Sequence, residues 1–156
     1  MKPTDPTARD AIFKVLDESG EMSLGTCRPD GFPQVTTVNF VHGEWMIYCA
    51  FGLDSQKAHN IRLNPKVSGT INRPNRDWHE LQGLSFGGSA RILTVEAEMR
   101  VASERLLRRF PHLRQFIRGT EAVPWAGMLF IEIAPKVISI LDYRKRFGHT
   151  ELVEVG

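Results

Sequence analysis

Long hydrophobic segments are missing from this chain. No apolar run in its 156 residues approaches the ~20 that a membrane-crossing helix needs. The opening stretch, MKPTDPTARD, carries no hydrophobic segment of the secretory type. A cytoplasmic protein without membrane contact is therefore expected. Cysteine is scarce too: only Cys27 and Cys49 occur, with no Cys-x-x-Cys pair and no Cys/His spacing suited to zinc. Each lies in a strand-like run, so both are expected to be buried, reduced thiols, and no metal site is expected. Charge excess is small. A net charge of +2 excludes a strong basic field, so nucleic acid is not an expected partner. Repeats and low-complexity segments are absent.

What remains is the composition of an ordinary globular protein, 42% hydrophobic and 24% charged. One domain over 1–156 is expected. A chain of this length buries roughly 70% of its unfolded surface, enough for a core without staples. Asp5-Pro6 opens a helix that runs to about Glu18, with Ala8, Ile12, Val15 and Leu16 on one stripe. Strands are read at Glu21 to Cys27, Gln34 to Val41 and Trp45 to Phe51, with Asp30-Gly31 and His42-Gly43-Glu44 as turns. A short helix follows and stops at Asn64-Pro65. Lys66 to Asn72 is a fourth strand, and Trp78 to Leu93 a long strand or bent pair, with Gly87-Gly88 marking a bulge. Val95 to Phe110 reads as a helix, His112 to Arg118 as a short turn, and Met128 to Ala134 and Val137 to Leu141 as the last strands. About seven strands, joined mostly by short turns, make a mainly β protein with peripheral helices. They suit a Greek-key barrel better than a doubly wound parallel sheet.

Within CAFGLDSQKAHNIRLNPKV, Lys57 stands at the start of the short helix, where the backbone dipole disfavours positive charge. Asp54 or Ser55 is placed to cap that helix. A bound phosphate would reverse the sign, because backbone N–H groups, a hydroxyl and an ammonium would converge on one anion. A merely solvated lysine is the competing reading.

The order of motifs decides between them. DGFPQVTTVNFVHGEWMIYCAFGLDSQKAHNIRLNPKV followed by LQGLSFGGSARIL resembles the flavin-binding split barrels related to pyridoxamine 5′-phosphate oxidase. The resemblance covers roughly Met22 to Leu93, with a weaker continuation beyond. It implies a Greek-key split β-barrel and a homodimer with FMN at the subunit interface, acting on a small-molecule substrate as an oxidoreductase. By the same resemblance Ser55, Gln56 and Lys57 would bind the phosphate, and Thr37, Val38 and Asn39 would meet the ring edge with backbone groups. Ala50 and Phe51 would lie beside the ring, and Gln82 would reach in from the partner. A flavin needs a flat apolar slot with a few edge hydrogen bonds, which agrees in kind. The chain departs from the oxidase itself. The strand QVTTVNF has no arginine where the enzyme carries one, and YRKRFGHTE does not reproduce its substrate-phosphate cluster. Pyridoxamine phosphate is thus not the expected substrate, and no catalytic side chain is assigned.

A deazaflavin coenzyme or a haem are the alternative occupants, with His42, His59, His79, His112 and His149 as possible but scattered iron ligands. Trp78 and Trp125 flank loops and could cover a ring, although packing explains them as well. A cofactor-free regulatory or nucleic-acid-binding module would use the arginines between Arg100 and Arg118. Glu96, Glu98 and Glu104 lie among them, so a solvated face is the simpler reading. The tail from Tyr143 to Gly156 is polar and aromatic, and its role stays open between a lid and a contact with the partner.

Overall fold

The computed structural model describes residues 5–75 and 77–155. Seven strands form one sheet in the order β3-β2-β1-β4-β5-β6-β7, and β3 also pairs with β6, so six of them close into a barrel. The strands are β1 (Glu21–Cys27), β2 (Pro33–Gly43), β3 (Met46–Gly52), β4 (Lys66–Asn72), β5 (Gln82–Ile92), β6 (Met128–Asp142) and β7 (Thr150–Glu154). Every pairing is antiparallel. After the β1–β2–β3 meander, β4 returns to lie beside β1, which is the Greek-key connection. Among the described residues no helix is long and apolar enough to cross a membrane.

Among the described residues four α-helices decorate the barrel: α1 (Pro6–Glu18), α2 (Gln56–Leu63), α3 (Glu96–Arg109) and the single turn α4 (Leu113–Phe116). The Asp5 carboxylate caps α1 by accepting from the Thr7 N–H at 3.0 Å, and Pro6 takes the first helical position, where no N–H is needed. The apolar stripe of α1, with Ile12 and Val15 almost fully buried, joins the barrel interior beside Met22, Leu24, Phe40 and Ile71. A second core lies between α3 and the barrel, built on Ala102, Leu106, Trp125 and Phe130. The arginines of α3 lie on its outer face, where Arg100 pairs with Glu96 at 2.6 Å.

Strand β6 differs from its expected form. In place of two strands divided at Pro135-Lys136, one fifteen-residue strand runs through. The proline is accommodated because the ladder slips there: Gly87 faces Val137 and Gly88 faces Pro135, leaving Lys136 as an extra residue. A Cβ on Gly88 would lie 2.4 Å from the Ala134 carbonyl oxygen, so glycine is required at this close approach. One edge of β6 pairs with β5; on the other, Met128 to Ile133 closes the barrel on β3 and Val137 to Leu141 turns to β7. Strand β7 lies in the tail beyond Leu141, where the stretch Val137 to Leu141 was expected to be the last strand, so the expectation is corrected there. The first three residues of the segment expected to be strand from Trp78 are a 3₁₀ turn, Trp78–Glu80, ahead of β5. Cys49 is buried as expected, whereas Cys27, at the outward end of β1, is exposed.

Candidate functional site

Helix α2 is anchored from below. Asn60 is fully buried; its amide donates to Thr26 Oγ1 at 2.9 Å and Gln34 Oε1 at 3.3 Å, and its own oxygen accepts from Gln56 Nε2 at 2.8 Å. Arg62 donates to the Leu53 carbonyl at 3.0 Å, tying the helix to the loop before it. At the N-terminus the Ser55 hydroxyl accepts from the Ala58 N–H at 3.3 Å. That cap leaves the hydroxyl proton free to donate, and helix geometry leaves the N–H groups of Gln56 and Lys57 without intrahelical acceptors.

Lys57 stands over this end. Its Nζ lies 5.1 Å from the centre of the Phe51 ring, and among the described residues no carboxylate forms an ion pair with it. Beneath it, burial pushes the Cys49 thiol up to about 12, the nearby ammonium offsetting this only in part. Cys49 is therefore a packing residue and not a nucleophile.

A cavity of about 240 Å³ opens beside the lysine. One wall is strand: Thr37, Val38 and Asn39 of β2 with Ala50 and Phe51 of β3. The other is apolar and comes from the α3–α4 region and the start of β6: Leu106, Leu113, Ile117, Trp125 and Met128. Lys57 is the only charged residue of the lining. Six of the nine residues expected at the cofactor thus meet in one cavity, with Ser55 and Gln56 on the adjoining helix end. The side chain of Gln56 is engaged with Asn60, which leaves its backbone N–H as the group facing outward.

Gln82 is elsewhere within the protomer. It faces Asp142 at the far end of β6, 5% exposed, donating to Asp142 Oδ2 at 3.2 Å and accepting from Arg73. The Arg144 guanidinium and backbone N–H hold the Asp142 carboxyl down at about 2. A separate cavity of about 290 Å³, lined by Lys14, Arg73, Glu80, Gln82 and Arg144 among others, lies there.

The apolar wall was not legible as part of a site. Trp125 carried a signal as a loop tryptophan and Leu106 only as part of the helix read over Val95 to Phe110, but Leu113, Ile117 and Met128 carried none that pointed to a site. Trp125 is 1% exposed; its indole N–H donates to Ser103 Oγ at 2.8 Å and its ring stands edge-on to Phe130 at 4.8 Å. Trp78, by contrast, is 56% exposed and packs against Phe147. No histidine lines the cavity.

Comparison with known proteins bears on the family and the fold. The family model for pyridoxamine 5′-phosphate oxidase matches residues 8–142. A pyridoxine/pyridoxamine 5′-phosphate oxidase of Porphyromonas gingivalis is 32% identical over 92 residues, 56% of this chain and 40% of that protein. The match thus spans well under half the length of the curated relative. Among solved structures, a heme binding protein from Mycobacterium smegmatis superposes with a TM-score of 0.80 at 12% identity, covering 97% of this chain and 59% of the other. A putative pyridoxamine 5′-phosphate oxidase from Listeria innocua gives 0.67 at 22% identity, covering 85% and 97%. At these identities the two structures speak to the fold alone. With the family model spanning nearly the whole barrel, the chain belongs to the pyridoxamine 5′-phosphate oxidase family.

Proposed function

We propose that the protein is an FMN-binding, flavin-dependent oxidoreductase that acts as a homodimer on a small molecule. The observation that carries this reading is the Lys57 ammonium, without an ion-pair partner among the described residues, at a helix N-terminus beside a cavity otherwise lined by uncharged groups. Backbone N–H groups, the Ser55 hydroxyl and the ammonium suit a dianionic phosphate, and the strand and apolar walls suit a flat ring. A bound flavin would supply hydride or electron transfer. The chain's own part is binding, orientation and exclusion of water.

Two observations support a second copy. The cavity of about 240 Å³ falls short of the roughly 300–1,000 Å³ of ordinary cofactor sites, so one protomer supplies only part of the enclosure. The outward face of the sheet carries an uncharged row, Thr37, Ser23, Thr70, Ser85, Ser139 and Leu152, each paired with the next. Leu152 in that row is 62% exposed and Val35 in the next 65%, a surface suited to an isologous contact. In such a dimer Gln82 would approach the partner's cofactor.

The test is spectroscopic. The purified protein should take up FMN with flavin absorbance, and Lys57→Ala should weaken binding roughly 10- to 100-fold, the worth of one charge-assisted contact. Unchanged affinity would overturn the phosphate assignment. A Soret band or a deazaflavin spectrum would replace FMN by another cofactor, and mass in solution tests the dimer.

A further inference from the structure

Beyond the cofactor cavity, a groove of about 380 Å³ runs between the end of α1, the end of β2 and the outer face of α3. Its floor includes Leu16, Phe40 and Val41, and its rim carries Arg105, Arg108 and Arg109. Positions 105, 108 and 109 share one helix face, so the three guanidinium groups repel one another. Only one carboxylate, Asp17, lines the groove, and it is engaged with His42 Nε2 at 2.8 Å.

The arginines are held in place without being neutralised. Arg105 donates to the His42 carbonyl at 3.1 Å, and Arg109 to the carbonyls of Asp17 at 2.9 Å and Ser19 at 3.3 Å. These contacts orient the forks but remove no charge, and most of the five N–H donors of each fork stay unused. Gly43 makes room for the Arg105 head, since a Cβ there would lie 2.4 Å from its Nη1. Among the described residues Arg108 has no ion-pair or hydrogen-bond partner.

We propose that this groove is a second binding site, taking a small di- or polyanion such as a phosphate ester. Guanidinium forks match phosphate oxygens in bidentate geometry. The concave shape, closed at one side by α1, suits a small molecule and not an extended nucleic acid strand. The site is independent of the flavin reading, but the two cavities adjoin. Residues 37–39 of β2 line one and 40–42 the other, while α3 contributes Leu106 to the first and its arginines to the second.

The test titrates the whole protein with inorganic pyrophosphate at fixed ionic strength, by calorimetry and by thermal shift. Wild type should bind. Arg108→Gln should weaken binding at least roughly 10-fold and Arg108→Glu should abolish it; without ligand, Arg108→Gln should keep a melting temperature close to that of wild type, because exposed Arg108 makes no hydrogen bond or ion pair among the described residues. Lys57→Ala should leave this binding intact, which separates it from the flavin phosphate seat. Absence of binding, loss in Lys57→Ala with retention in Arg108→Gln, or displacement by a single-stranded RNA that binds more tightly would each overturn the proposal.

Discussion

Removing the Asn60 side chain is the sharpest test of how the site is built. Asn60→Ala deletes two donated hydrogen bonds, to Thr26 and Gln34, and one accepted from Gln56. Each is worth about 1 kcal/mol net, and the bond to the 2% exposed Thr26 counts more, because its hydroxyl is left buried without that partner. The vacated volume adds a further fraction, so the expected loss is about 2–4 kcal/mol. Urea unfolding followed by the fluorescence of buried Trp125 would measure it, with the m-value unchanged. Asn60→Leu separates the contributions: it refills the volume but still orphans Thr26, and should stay destabilised by about 1–3 kcal/mol. Lys57→Ala, which removes no buried partner, should leave stability within about 0.5 kcal/mol of wild type. A loss below about 1 kcal/mol in Asn60→Ala would refute the view that α2 is held by this buried amide.

Other consequences can be checked the same way. Gly88→Ala drives a methyl into the backbone at Ala134 and Pro135 and should cost about 1–3 kcal/mol in unfolding free energy. The Asp142 carboxyl is held at about 2, below its ordinary 3.8, so its contribution is complete above the ordinary value and disappears as pH falls through the lower one. With half-exposed Arg144 as partner, that contribution is about 1–2 kcal/mol, and Asp142→Asn should flatten the stability profile between about pH 4 and pH 2. Cys49 should resist a thiol reagent at pH values where an ordinary thiol reacts, and become reactive only on denaturation, while exposed Cys27 reacts in the native state; alkylation mapped to Cys49 in the native protein would contradict its burial. Trp125→Phe loses the bond to Ser103 but keeps most of the packing against Phe130, so unfolding should register a loss of about 1–2 kcal/mol.

The elements that could be read from sequence were those defined by local rules. Asp5-Pro6 sets the start of α1, Asp30-Gly31 the first hairpin with Gly31 at a φ of +88°, and Gly87-Gly88 the bulge. What stayed hidden depends on distant partners. Nothing in Pro135-Lys136 says that the strand continues, because the slip that accommodates the proline belongs to β5. Nothing in Thr150 to Glu154 announces a strand, because its partner is the outer half of β6. The candidate site divides in the same way. The helix end at Ser55 to Lys57 is local and carries a motif, whereas Leu113, Ile117 and Met128 enter the cavity only through the packing of α3 and α4 on the barrel.

Strand β6 also sets a condition on synthesis. Its first half supplies the second partner of β3, the pairing that closes the ring, some eighty residues downstream of β3 itself. During translation the earlier hairpins can zip as they leave the ribosome, but β3 keeps an open hydrogen-bonding edge until residues 128–133 have emerged. A nascent chain halted before Met128 should therefore be sticky and dependent on chaperones, and release from that dependence should coincide with the arrival of a single strand.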